Sequence, residues 1–177
     1  MTYTPYQSAI HGFVAMLGDI KCWLDKAASQ KDEAALVDAR LAPDMHPLAR
    51  QVQMASDAAK GAAARLTGTQ APAMPDTETT FAELKVRCDK TIAYLQSVDA
   101  AAFDAGIERE IVITFPNGAG LRFDGATFLT GFAVPNFYFH AAMTYAILRA
   151  EGVELGKADY LTHLGPYMFA PPEKVAG

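Results

Sequence analysis

Clustered positive charge is the first thing this chain lacks. Its 15 Lys and Arg are outnumbered by 20 Asp and Glu, giving a formal net charge of −5, and the basic residues are scattered along the chain. Tracking a phosphate backbone requires a concentrated basic face, so no nucleic-acid partner is expected. No run approaches the roughly 20 apolar residues of a membrane span. The richest stretch, Ala126 to Leu148, is broken by Thr127, Thr130, Pro135, Asn136 and His140, so it reads as a buried helix and no membrane partner is expected. The first residues, Met1-Thr2-Tyr3-Thr4-Pro5, carry neither the basic region nor the apolar core of a signal peptide. Cysteine is scarce too: Cys22 and Cys88 are the only two, with no CxxC pair. Both fall in helical patterns and read as buried free thiols of a cytoplasmic protein. A Walker loop, GxSxG, HExxH and GxGxxG are all missing, which removes the reactions those motifs serve.

What remains is an apolar, Ala-rich chain of 177 residues, 51% hydrophobic and 20% charged. That length suits one domain with a real core, and the composition excludes disorder throughout. Four long segments keep the three- and four-residue spacing of an amphipathic helix. The first spans about Pro5 to Ala28, with the stripe Tyr6, Ile10, Phe13, Leu17, Ile20 and Leu24. The second is expected from Asp44 as N-cap, with Pro47 in its first turn, through Leu48, Val52, Ala55, Ala59, Ala62 and Leu66 to a stop at Gly68. Gln70 to Pro75 then reads as an extended crossover. Thr80 and Glu83 have capping-box spacing for the third helix, with Thr77 as a rival cap; its stripe is Leu84, Cys88, Ile92 and Leu95, and it ends near Ser97.

Ile107 to Phe115 alternates in the manner of a strand, and Pro116-Asn117-Gly118-Ala119-Gly120 is a turn cluster before Leu121 to Phe123, which together predict a β-hairpin. The fourth helix runs from about Gly125 to Ala150, with Pro135 set to kink or split it and Gly152 to stop it. The predicted architecture is therefore an all-α four-helix bundle, with a long crossover between helices two and three and a short hairpin before helix four. The bundle domain covers residues 1–160, and residues 161–177 form an irregular C-terminal tail.

Chemistry has few places to sit. Asn136, His140 and Thr144 are four residues apart and share one face of helix four, flanked by Phe132, Phe137, Phe139 and Met143. On helix two, Gln53, Asp57 and Lys60 share a face, with Arg50 a turn earlier. If the two faces meet, carboxylate, amide and imidazole converge in one cavity. Three readings follow: a satisfied polar core in which Asp57 and His140 pair, a ligand or catalytic pocket with His140 and Asp57 as its acid–base groups, or a metal site. His11, His46 and His163 read as boundary, half-exposed and surface residues. The run Phe137-Tyr138-Phe139, with Trp23 and Tyr145, reads as core or subunit interface.

Five motifs carry a family resemblance: Leu41-Ala42-Pro43-Asp44-Met45, Pro47-Leu48-Ala49-Arg50-Gln51-Val52-Gln53, Asp57-Ala58-Ala59-Lys60-Gly61, Thr79-Thr80-Phe81-Ala82-Glu83-Leu84 and Pro135-Asn136-Phe137-Tyr138-Phe139-His140. From about Tyr6 to Tyr160 the chain resembles a branch of the DinB/YfiT-like metalloenzyme superfamily, a bacterial domain of unknown function. The resemblance implies a four-helix bundle, often homodimeric. It also implies a divalent metal held by three histidines, one from helix two and an HxxxH pair from helix four. Some members of that superfamily are thiol-dependent transferases using bacillithiol, mycothiol or glutathione. Here His140 matches the first histidine of the pair, but Thr144 stands where the second belongs, and Gln53 and Asp57 are the pocket-facing candidates on helix two. Too few good ligands remain for Zn or Ni, so no tightly bound metal or other cofactor is expected. The leading expectation is a homodimeric bundle that binds a small molecule through Gln53, Asp57, Asn136, His140 and Thr144. Two alternatives are a thiol- or metal-dependent transferase or hydrolase using His140, and a dimeric structural protein.

Overall fold

The computed structural model describes residues 3–169. Helix α1 (Pro5–Ala28) opens on a capping box: the Thr4 hydroxyl accepts from the Gln7 backbone N–H, and the Gln7 side chain accepts from that of Thr4. The short α2 (Glu33–Val37) leads to α3 (Leu48–Thr67), and α4 (Phe81–Gln96) follows the crossover. After α5 (Ala100–Ala105) and one 3-10 turn come strands β1 (Glu110–Thr114) and β2 (Gly120–Asp124). Then α6 (Gly125–Thr127), a π-helical stretch (Phe128–Ala133) and α7 (Val134–Ala150) form the fourth long helix; α8 (Lys157–Tyr160) and a 3-10 turn (Thr162–Tyr167) complete the described chain.

Helices α1, α4, α3 and α7 form a ring in that order, with α1 and α3 at opposite corners. The expected stripes build its core: Ile10, Phe13, Leu17, Ile20 and Leu24 from α1 and Leu48, Val52, Ala55, Ala59, Ala62 and Leu66 from α3 are all buried in it. On α4, Leu84, Cys88 and Leu95 are buried as expected, while Thr91 takes the inward position assigned to Ile92. Burial pushes the Cys88 thiol up to about 12, so it is an inert core residue. Cys22 is exposed, contrary to the sequence reading, because it lies off the α1 stripe.

The hairpin is present, with register Glu110↔Asp124 to Thr114↔Gly120. Its buried Ile111 and the ring of Phe123, 6.1 Å from Phe128 and 5.9 Å from Phe132, seat it on the start of helix four. A lone hairpin is marginal without such packing. Pro135 splits helix four as anticipated. It has no N–H to donate to the preceding turn, and the chain reaches it through a wider π turn, Phe128–Ala133.

Several boundaries differ from the sequence reading. Helix α3 begins at Leu48 with Pro47 as N-cap, so Asp44 does not cap it and His46 lies outside it. Three one-turn helices were not foreseen, α2, α5 and α8; the first two start on an Asp (Asp32 for α2, Asp99 for α5) that accepts a backbone N–H two or three residues on. Helix α3 ends at Gly68, whose φ of 72° lets the Thr69 N–H reach the Ala64 carbonyl at 2.9 Å. At Gly106, a Cβ would stand 2.1 Å from the Leu66 carbonyl oxygen, and at Gly125 one would stand 2.0 Å from the Gly106 oxygen. These two glycines let the 3-10 turn close on the end of α3 and α6 close on that turn.

The described part of the tail holds a 3-10 turn, Thr162–Tyr167, and contacts from it and from α8 just before it reach α1. The Trp23 indole N–H donates to the Asp159 carbonyl at 2.6 Å, Lys26 pairs with the Asp159 side chain at 3.0 Å, and the Asp19 carboxylate accepts the backbone N–H of His163 at 3.0 Å. His163 is thus docked on α1 through Nδ1 and its backbone, not a free surface residue. Residues 170–177 of the expected tail lie outside the described residues. No helix among the described residues is long and apolar enough to cross a membrane.

Candidate functional site

The polar residues singled out in the sequence do not converge. Helix α3 has α7 on one side and α4 on another, and its polar side chains divide between them. At 100° per residue, Gln53, Asp57 and Lys60 share a face, while Gln51 points roughly opposite to Gln53. The Gln53 and Asp57 face meets α4 and the crossover, whereas the Gln51 face meets α7.

On the α7 side, His140 is buried, with Nδ1 2.8 Å from Gln51 Oε1. Gln51 Nε2 in turn donates to the His46 carbonyl oxygen at 3.1 Å. That second bond fixes the amide orientation, so Gln51 presents an acceptor and His140 Nδ1 must carry the proton. Nε2 is left as the basic nitrogen. Burial, followed by the nearby His46 and Arg50, holds the imidazole below its ordinary value, in the neutral form at pH 7. Thr144 is buried and donates to the His140 carbonyl at 3.0 Å, and Asn136 is half-buried one turn before His140. The expected Asp57–His140 pair does not form; Gln51, which the sequence reading passed over, takes Asp57's place.

On the α4 side sits a cluster whose centre the sequence reading missed. Arg87 is an arginine on the core side of α4, with its side chain 1% exposed. Its guanidinium pairs with Asp57 at 2.7 Å, Asp76 at 3.0 Å and Glu78 at 3.0 Å, and it donates to the Pro75 carbonyl at 3.3 Å. Arg50 pairs with Asp76, Lys60 with Asp57 at 3.0 Å and the Pro72 carbonyl at 3.2 Å, and Gln53 donates to Glu78 at 3.0 Å. Three carboxylates and their hydrogen bonds keep Arg87 charged and raise its pKa although burial opposes this. Next to them, the Ser56 and Thr91 hydroxyls bond at 2.7 Å beneath the Met74 sulfur. The network pins the crossover across the α3–α4 seam. Arg87 stands three residues after Leu84 on the apolar stripe, and that inward position was the available signal for it.

Between the pinned crossover and α4 lies a cavity of about 650 Å³. Pro72, Ala73, Met74 and Pro75 wall it on one side, with Ala82, Val86 and Ala93 on the other. Its charged lining is Glu78, Glu83, Arg87 and Lys90, and Tyr94 also lines it. The volume lies within the range typical of small-molecule sites.

A crystal structure of a DinB family member from Shewanella denitrificans matches the whole of this fold, with a TM-score of 0.81 and 38% sequence identity over 97% of this chain and 95% of that one. Residues 6–161 match the family described as a domain of unknown function, DUF1993. The chain belongs to this DinB-like family. No curated protein matches it. The family resemblance raises the question of a three-histidine metal centre, and the donor set of this DUF1993 chain does not fit one. His140 supplies one imidazole, Thr144 turns its hydroxyl to its own helix, and Asp57 is committed to Arg87 and Lys60 on the other side of α3. Among the described residues no group of three or more His, Cys, Asp or Glu is placed to hold a metal ion.

Proposed function

We propose that this DinB-like domain is a small-molecule-binding protein whose ligand occupies the cavity between the crossover and α4. The observation that carries the reading is that cavity of about 650 Å³, with apolar residues on both sides and the buried Arg87 network behind it. Pinning the crossover through Asp76 and Glu78 pre-organises the wall, which lowers the ordering cost of binding. The ion network by itself serves as a staple for the crossover, and a staple requires no cavity beside it. The test is a fragment screen by ligand-detected NMR on the wild type and on Val86→Trp, where the indole fills the space beside α4. Hits lost in Val86→Trp support the reading; hits that persist there and vanish in His140→Ala refute it and move the site to the α7 face.

A second reading, an enzyme of the transferase or hydrolase type using His140, is favoured by one observation: a buried, neutral imidazole whose tautomer is set by Gln51, leaving Nε2 basic. In this reading His140 takes a proton at Nε2 and the Gln51 carbonyl steadies the imidazolium. Homodimerisation belongs to the proposal as well. No Asp, Glu, Lys or Arg occurs between Asp124 and Arg149, yet Pro135 and Phe139 of that stretch are exposed, Phe139 by 50%. An uncharged face of this kind fits a second copy of itself. Light scattering is expected to give twice the 19.0 kDa chain mass, falling to the single mass in Phe139→Glu.

A further inference from the structure

The last part of the described chain is anchored along the seam between α1 and α7. Tyr160 packs on Trp23 of α1, with ring centroids 5.2 Å apart, and on Tyr145 of α7 at 5.5 Å. Trp23 and Lys26 hold Asp159, and Asp19 holds His163, so the chain runs back along α1 toward its start. Beyond this anchor the sequence turns apolar and uncharged: Leu164-Gly165-Pro166-Tyr167-Met168-Phe169. No described residue of the same chain covers its end, where Tyr167, Met168 and Phe169 are 80%, 82% and 90% exposed. Three adjacent large apolar side chains left in water mark a contact surface.

An apolar groove of about 300 Å³ lies between the start of α1 and the fourth helix. Ala9 of α1, Ile107 of the 3-10 turn, and Leu129 and Val134 of the fourth helix wall it. Ser8 and Thr130 add hydroxyls, and no charged residue lines it. From Asp19 back to Ala9, ten helical residues rise about 15 Å. The six residues from His163 to Phe169, a 3-10 turn and then extended chain, advance a similar ~15 Å. Continued along α1, the segment ends level with the groove, yet its own Phe169 ring stays out in solvent. Val134 also adjoins Pro135, at the edge of the uncharged face that carries the exposed Phe139.

Resting on the homodimer proposed above, we infer that residues 167–169 of each copy dock in the apolar groove of the other, the Phe169 ring entering it. Segment and groove lie side by side on one seam, so a single two-fold rotation makes both contacts at once. Neither side brings a charge that burial would strand. Burying an aromatic side chain removes roughly 150–250 Å² from water, so the segment offers on the order of 400 Å². A two-fold pair of such contacts, counting both surfaces of each, comes to roughly 1,600 Å², the size of a standard stable interface.

Two variants test the docking. Tyr167→Ser with Phe169→Ser strips the segment and leaves the groove intact. Ser8→Glu puts a charge into the groove from an exposed position in the first turn of α1, where the helix dipole favours it, and leaves the segment intact. Light scattering over a dilution series reads the dimer for the wild type, for each variant and for an equimolar mixture of the two. The wild type is expected at twice the 19.0 kDa chain mass. Each variant should raise the dimer Kd at least roughly tenfold, the loss of a buried aromatic anchor. In the mixture an intact segment meets an intact groove once per dimer, so dimer should return at concentrations where each variant alone is a single chain. Undiminished dimer in either variant, or loss without recovery in the mixture, overturns this docking and leaves the homodimer to the α7 face. A single-chain mass in the wild type removes the homodimer and this inference with it.

Discussion

Replacing Arg87 by Met keeps most of the side-chain volume and removes only the charge and its donors. The cost follows from what each carboxylate loses. Asp57 and Asp76 are 39% and 36% exposed and retain Lys60 and Arg50, so solvent and these partners absorb most of their loss, and each contributes well under about 1 kcal/mol. Glu78 is different: its side chain is 13% exposed, and without Arg87 it keeps only the Gln53 amide. Breaking a buried pair from one side costs about 3–5 kcal/mol, and the remaining amide bond and partial solvent access place this case near the lower end. We therefore expect Arg87→Met to lose about 3 kcal/mol in urea unfolding, read as a lower midpoint at unchanged slope. In a chain of this size that lowers Tm by roughly 6–12 °C. Amide exchange should accelerate first around residues 72–78 of the crossover, because the staple is lost while the core is not. Adding Glu78→Gln to Arg87→Met should recover part of the loss, since it removes the stranded charge. A loss below about 1 kcal/mol, or no recovery in the double variant, would refute the argument that Arg87 holds the crossover through Glu78.

Three further outcomes can be checked. His140 has its folded pKa depressed below 6.5, so its contribution to stability is present above that value and is lost as pH falls through the depressed folded value; urea midpoints should drop on acidification below pH ~6.5, and His140→Gln should flatten that part of the profile. Gly106→Ala would set a methyl 2.1 Å from the Leu66 oxygen, so about 2 kcal/mol or more should be lost by thermal unfolding, against near neutrality at the open Gly18. Elemental analysis of untagged protein should give well under one divalent metal per chain; stoichiometric Zn or Ni lost in His140→Ala would restore the three-histidine chemistry that the donor set argues against.

Periodicity, caps and turn residues made the bundle legible, because those signals are local. The stripe from Ile10 to Leu24, the Thr80–Glu83 box, the turn at residues 116–120 and the break at Pro135 each act through neighbours a few residues apart. The candidate site was legible only in its ingredients. Asp57, Gln53 and His140 were rightly seen as polar residues near a core, but which face of α3 meets which neighbour depends on how the four helices close into a ring. That closure sent Asp57 to Arg87, gave His140 to Gln51 and drew His163 down onto Asp19. The amino-acid sequence alone thus determined the four long helices, the hairpin and the apolar faces that must be buried. Tertiary structure alone decided the polar pairings, since a buried polar group takes the nearest partner in space, and those partners lie 30, 89 and 144 residues away along the chain.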